Sequence, residues 1–363
     1  AVVVPRQPDD PLFAPGSRTN FISASRTIVN ADRNAINTTT PWVDQNQTYA
    51  STASKQVFLR EYTLDGAGKP NSNGRMLDGP GGNIGTWAEL KEQAATLLGI
   101  QLVDTDVLSV PLLLTDEYGR FLRGANGFPQ MVMSDGTVVE GNPAQPITTA
   151  GAVKTGHAFL DDIAHAAVPD ANYDAALLGQ HFITGDGRGN ENIGLTAIHT
   201  MFHSEHNRLR DEIFAMVEQD NGALEAGFKA PGWGYQERLF QAARFVNEME
   251  YQHVVFEEFA RKLSPAIAPF AAYNPQLDPD IPAEFAHAVY RFGHSMLTER
   301  IDRIDVNGND VGIDLIQAFL NPAAFNAGAP TAAEAAGDIV RGMSKQTGSE
   351  IDEFVTGADR KST

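Results

Sequence analysis

Four short stretches of this chain carry side chains whose type and spacing could do chemistry. In Ile198-His199-Thr-Met-Phe-His203-Ser-Glu-His206-Asn207-Arg208 three imidazoles recur at i, i+4 and i+7. That spacing brings them near one helix face, where they can ligate a metal or bond to neighbouring helices. Thr200 stands where a zinc protease carries its glutamate base, so HExxH chemistry is absent. Tyr290-Arg291-Phe292-Gly293-His294-Ser295 sets a histidine after a glycine in an aromatic-rich stretch. This suits a flat cofactor, because glycine lets a ring approach the backbone; by itself a lone helical histidine is more often structural. Gly185-Asp186-Gly187-Arg188-Gly189-Asn190-Glu191-Asn192 pins an arginine and a glutamate among glycines, without the GK[ST] ending of a phosphate loop. An active-site wall and a plain charged turn both fit it. Thr40-Pro41-Trp42-Val43-Asp44-Gln45-Asn46 offers hydroxyl, carbonyl, carboxylate and amide oxygens at alternate positions. Such a set can wrap a calcium ion.

The elements that must position these residues are mostly helices. Residues 195–217 carry apolar positions at 195, 198, 202, 209, 213 and 217, and residues 236–263 repeat the pattern through Leu239, Ala243, Val246, Met249, Phe256 and Leu263. A third helix is expected over 280–299, with Pro282 in its first turn. Residues 300–313 alternate around Asn307-Gly308 and read as a hairpin. The tail from 314 is helical in pieces. Upstream, residues 1–60 read as an extended arm that holds the Thr40–Asn46 loop and ends in a short helix. Residues 65–180 read as a long irregular insertion, loop chemistry over 65–86 and turns at 116–119, 124–127 and 134–136, interrupted by a short helix over 87–98. Residues 181–363 form the helical core. The fold class is mainly α, with long ordered loops and a small β-hairpin.

Composition narrows the function. The 363 residues include 46 acidic and 27 basic side chains, a net charge of −19. Such a surface repels phosphate backbones and anionic lipid, which disfavours nucleic acid as a partner. No apolar run approaches the roughly 20 residues that span a bilayer. With no cysteine, thiolate zinc, iron–sulfur clusters and cysteine nucleophiles are excluded. Redox chemistry would need a cofactor held by nitrogen or oxygen.

Taken in order, the four stretches resemble the animal-type heme peroxidase superfamily, from about residue 35 to about residue 355. Leu195-Thr-Ala-Ile-His199 through Glu205-His206-Asn207-Arg208-Leu209 is similar to its "LT-x-x-H … EHNRL" helix. Tyr290-Arg-Phe-Gly-His294 is similar to "FR[FY]GH", whose histidine is the axial ligand of the heme iron. Gly185-Asp186-x-Arg188-x-x-Glu191 resembles the loop bearing a catalytic arginine and a heme-contacting glutamate. Thr40-x-Trp42-Val43-Asp44-x-Asn46, followed by Tyr49-x-Ser51, resembles the calcium loop, with Asn46 where serine is common. The lack of cysteines and the long 87–179 segment resemble the bacterial branch found in large secreted calcium-repeat proteins.

The resemblance implies a peroxidase that reduces hydrogen peroxide and oxidises a small donor: a phenol, a halide or Mn(II). It implies heme b, esterified through Glu191 in the members that form that link, and calcium on Thr40, Trp42 (carbonyl), Asp44 and Asn46. It implies that Arg188 and Glu191 are the catalytic residues, and that His294, Arg188 and Glu191 hold the heme. His199 and His206 are helix-packing residues in this reading. Two family motifs are missing. No histidine precedes His157, so the distal-histidine segment is expected on an upstream segment or companion peptide, and the "N-x-x-R-x-RD" motif that follows is also absent. The chain therefore reads as the middle of one peroxidase domain spanning 1–363, secreted, and of little turnover alone. Two other readings compete: a catalytically silent scaffold or adhesion segment, and a non-heme metalloenzyme built on His199, His203 and His206.

Overall fold

The computed structural model describes residues 2–5, 21–24, 43–161, 173–220, 223–228, 234–272, 274, 276, 281, 285, 289–319, 321–352 and 354–357. The chain divides into two compact units, residues 1–42 with 275–291, and residues 43–274 with 292–363. In the first, β1 (Val2–Pro5) pairs antiparallel with β2 (Phe21–Ala24), Val2 opposite Ala24. Part of the expected extended arm is thus a two-stranded ladder.

The second unit opens with α1 (Asn46–Tyr49) and α2 (Ala53–Leu59). Thr52 starts α2, its hydroxyl accepting from the Lys55 amide at 3.2 Å. The chain runs on into β3 (Arg60–Leu64), which pairs antiparallel with β4 (Pro70–Met76) across a turn at Asp65–Gly68. The expectation of loop chemistry over 65–86 fails at β4. Its sequence, PNSNGRM, has no strand-forming side chains. What makes it a strand is tertiary: it pairs with β3, and Asn207 accepts from the Met76 amide at 2.8 Å and donates to the Met76 carbonyl at 3.1 Å.

The expected short helix over 87–98 is α3 (Trp87–Gln93) continued by a π-helical turn (Ala94–Leu98). Beyond it the chain is not irregular. β5 (Ile100–Gln101) lies parallel to β8 (Ile147–Thr148), and β6 (Gln130–Val132) forms a hairpin with β7 (Val138–Glu140) around Gly136. These short ladders bury Val107, Val110, Leu113 and Met131 against Trp87 and Phe159, whose rings meet at 5.2 Å. Residues 87–160 therefore contribute much of a hydrophobic core, together with Phe58, Tyr62 and Phe240, rather than forming an insertion on its surface. Paired strands of two or three residues leave no periodicity long enough to read.

After α4 (Ala175–Gly179) come the helices that carry the candidate site. α5 (Ile193–Gln219) is capped by Asn192, whose side chain accepts from the Leu195 amide at 2.9 Å. A short α6 (Ala223–Phe228) leads to α7 (Tyr235–His253), which continues through a π-helical segment (Val254–Ala260) into α8 (Arg261–Leu263). Of the expected third helix, 280, 282–284 and 286–288 lie outside the described residues, and Val289–Met296 is a 3-10 helix. The hairpin around Asn307-Gly308 is present: β9 (Arg300–Ile301) pairs with β10 (Ile313–Asp314). α9 (Leu315–Ala318), α10 (Pro322–Asn326) and α11 (Ala332–Met343) follow. α11 and α10 pack on the start of α5, joining Ile193 and Ala197 to Phe325 and Ile339 in the second core.

Of the apolar stripe of α5, Leu209 and Val217 are buried and 195, 202 and 213 half-buried, but the buried face extends beyond it. Ile198 is 41% exposed, whereas Thr196, His199, Thr200, His203, His206 and Asn207 are all buried. The histidine face is the inner face.

Candidate active site

The turn before α5 is held at both ends. Asn190 pairs with Phe182 through both amide atoms, accepting from its N–H at 2.9 Å and donating to its carbonyl at 2.8 Å, and Thr196 donates to the Gly189 carbonyl at 2.9 Å. Within the turn, Asp186 accepts three hydrogen bonds from Arg188: the backbone N–H at 2.8 Å, Nε at 2.9 Å and Nη2 at 2.8 Å. Burial works against the Asp186 charge, but these bonds and the guanidinium outweigh it and hold the carboxyl down at about 2. The same contact pushes Arg188 up. The Glu191 amide donates to the Arg188 carbonyl at 2.8 Å, so the structure brings Arg188 and Glu191 together on one turn.

That turn is pressed onto the loop of the calcium-type motif. A Cβ on Gly185 would fall 2.1 Å from the Asn46 carbonyl oxygen and 2.4 Å from the Ala50 nitrogen, so only glycine fits. The Asp186 amide donates to the Gln47 carbonyl at 3.2 Å. Thr40 and Trp42 lie outside the described residues. Asp44 and Asn46 are half-buried, and burial raises the Asp44 carboxyl above its ordinary range. A desolvated carboxylate beside an amide oxygen fits a hard cation, which would offset that burial. Beneath the turn, Lys55 is buried and donates to the Ala158 carbonyl at 2.8 Å. Burial lowers its amine to about 8 against the pull of Asp186 and Asp161.

The three α5 histidines turn to different partners. His206 Nε2 lies 3.2 Å from the Gly74 carbonyl and Nδ1 lies 2.8 Å from the Tyr49 hydroxyl. A carbonyl only accepts, so Nε2 carries the proton and Nδ1 accepts from Tyr49. His203 Nε2 meets Asp78 Oδ1 at 2.8 Å. His199 faces the Arg188 turn. Burial lowers His199 to about 4 and His206 to about 3, so both are neutral imidazoles at neutral pH.

His294 sits apart, exposed on the 3-10 helix, whose Ser295 hydroxyl donates to the Phe292 carbonyl at 2.8 Å and accepts from the Asp352 amide at 3.3 Å. A Cβ on Gly293 would meet nothing within 4 Å. There is room for a flat group beside an accessible imidazole, so these residues fit a heme. Sequence reasoning had missed Asp186 as the clamp on Arg188. An aspartate two residues before an arginine in a glycine-rich turn was the available signal. Lys55 left none, being a lone lysine on a short helix.

A mainly α unit with an arginine turn seated on an oxygen-rich loop and buried histidines on a long helix describes a peroxidase-type fold. The fold matches peroxidase A of Dictyostelium discoideum with a TM-score of 0.50 at 19% identity, over 91% of this chain and 45% of that one. The family model described as animal haem peroxidase matches residues 152–361, and the chain belongs to that family. Among its relatives, peroxidase mlt-7 of Caenorhabditis elegans is 33% identical over 135 residues, 36% of this chain and 17% of that protein. Peroxinectin A of Dictyostelium discoideum is 26% identical over 225 residues, 59% and 39% of the two chains. The human peroxidasin homolog is 28% identical over 149 residues, 39% and 9%. This chain thus spans less than half the length of each of these relatives.

Proposed function

We propose that the chain is the heme-holding part of a peroxidase that reduces hydrogen peroxide and oxidises a small phenolic, halide or Mn(II) donor. The observation that carries this reading is that Arg188, Glu191 and His294 all lie within the residues 152–361 matched by the family model. Bound heme b would supply the iron at which peroxide is reduced. His294 would hold it through an imidazole nitrogen, and Arg188 and Glu191 would contact it. Asp186 keeps the Arg188 guanidinium charged and fixed in orientation, ready to stabilise negative charge developing on a peroxide oxygen. The Asp186 clamp uses Nε and Nη2, which leaves Nη1 for that task. Asp44 and Asn46, with Thr40 and the Trp42 carbonyl, would hold calcium and brace the Arg188 turn through Gly185.

Moving a proton between peroxide oxygens takes a base that titrates near neutrality. His199 and His206 are buried and engaged in packing, so we assign this role to a histidine on polypeptide outside these residues. Among the described residues no helix is long and apolar enough to cross a membrane. We place the protein outside the cell, in the cysteine-free bacterial branch.

Titrating the chain with heme tests the reading. A Soret band should form, vanish in His294→Ala and persist in Arg188→Ala. Peroxide-dependent donor oxidation should be weak in the chain alone and rise by about 10²–10⁴-fold when the distal-histidine segment is supplied. An unchanged heme spectrum in His294→Ala would overturn the assignment. A chain that takes up no heme would favour a silent scaffold.

A further inference from the structure

We propose that Tyr49 and His206 form an internal one-electron donor, in which oxidation of the phenol sends its proton to the imidazole. Tyr49 ends α1, one residue before Ala50, whose backbone nitrogen lies against Gly185 of the Arg188 turn. The Tyr49 hydroxyl is 2.8 Å from His206 Nδ1, and the two rings stand edge-on with centres 5.4 Å apart. Phe240 packs on both, 6.0 Å from the Tyr49 ring and 4.6 Å from that of His206.

This contact differs from a plain buried hydrogen bond because its partners suit the proton on either side. With the proton on Tyr49, the hydroxyl donates to Nδ1 and accepts from Asn247 Nδ2 at 3.0 Å, while His206 Nε2 donates to the Gly74 carbonyl at 3.2 Å. With the proton on Nδ1, the imidazolium still donates from both nitrogens, to the Tyr49 oxygen and to Gly74. The phenoxyl oxygen then accepts from His206 and from Asn247. All three hydrogen bonds survive the transfer, so the chain need not rearrange.

Burial keeps the proton within the pair. Tyr49 is 1% exposed, and His206 and Asn247 are 0% exposed. Burial pushes the Tyr49 phenol up, so it is protonated at neutral pH. Burial, aided by the charges of Arg60 and Arg244, lowers His206 to about 3. An oxidised phenol is a far stronger acid than any imidazolium, so the proton crosses when an electron leaves. The low value of His206 sends it back once the electron returns. In the step, the Tyr49 O–H bond breaks, an N–H bond forms at His206 Nδ1, and one electron passes to a one-electron oxidant. The natural oxidant rests on the peroxidase reading: it is the oxidising equivalent drawn from peroxide at the candidate site. Tyr173 and Tyr235 are only half-buried and donate to the carboxylates of Asp104 and Glu218, at 3.0 and 3.1 Å. Protons released there pass on to solvent.

The test is electron paramagnetic resonance on the intact chain without heme, frozen after photo-oxidation with ruthenium(III) tris-bipyridine. A long-lived tyrosyl signal should form, and its high-field spectrum should show a hydrogen-bonded phenoxyl oxygen. Tyr49→Phe should remove that signal and Tyr173→Phe should leave it. His206→Gln, which keeps a hydrogen-bond acceptor but no base, should slow its formation by about 10²-fold or more. Should Tyr49→Phe fail to fold, the high-field spectrum and His206→Gln decide the matter. No long-lived signal, a phenoxyl oxygen without a hydrogen bond, a signal that survives Tyr49→Phe, or equally fast formation in His206→Gln would each overturn the proposal. The test uses neither heme nor peroxide, so its failure is separate from a failure of the heme titration.

Discussion

Replacing Gly185 by alanine probes the joint on which the candidate site depends. The added methyl carbon would lie 2.1 Å from the Asn46 oxygen, 2.4 Å from the Ala50 nitrogen and 2.8 Å from the Thr48 carbonyl carbon. All three are backbone atoms, so no side-chain rotation relieves the overlap. Overpacking of this kind costs about 1–3 kcal/mol. Parting the two segments also strains two hydrogen bonds, Asp186 N to Gln47 O at 3.2 Å and Ala50 N to Asn46 O at 2.7 Å. Each is worth about 1 kcal/mol. The expected loss is therefore about 2–4 kcal/mol, read as a lower urea midpoint at unchanged slope. Hydrogen exchange should quicken at the Ala50 and Asp186 amides before it does in α5. Gly227→Ala is the control. Gly227 lies in α6 with nothing within 4 Å of an added Cβ, and there the substitution should cost nothing. If Gly185→Ala kept its stability within about 0.5 kcal/mol, the scale of a neutral surface change, the two loops would not be packed as described.

Two pH dependences follow from burial. His199 and His206 titrate at about 4 and about 3 in the folded chain against an ordinary 6.5. The stability they contribute is full above 6.5 and is lost as the pH falls towards those values, because the unfolded chain then binds more protons. Urea midpoints from pH 7 to pH 4 should show His206→Gln closing on the wild type, by at most about 1.4 kcal/mol per pH unit; a constant gap would mean that His206 is not buried neutral. Lys55 behaves oppositely in range: its amine titrates at about 8 when folded and 10.5 ordinarily. Its burial penalty is full below pH 8 and relaxes as the pH rises towards 10.5. Relative to Lys55→Met, the wild type should gain about 3 kcal/mol across that window, and a flat difference would contradict the burial of Lys55.

The sequence alone determined the features that local chemistry dictates. The Asn307-Gly308 hairpin, the long helices α5 and α7 and the glycine-bound Arg188 turn were all legible, since each rests on turn or periodicity rules that act within a few residues. The motif order was legible too, and it led to the family. Tertiary structure decided what local rules do not reach. β4 is a strand only because β3 and Asn207 satisfy its backbone. α5 buries its histidines and leaves Ile198 exposed because Tyr49, Gly74 and Asp78 approach from distant segments to bond them. The physical reason is one and the same: a buried polar group is tolerable only when a partner meets it, and those partners come from segments more than a hundred residues away.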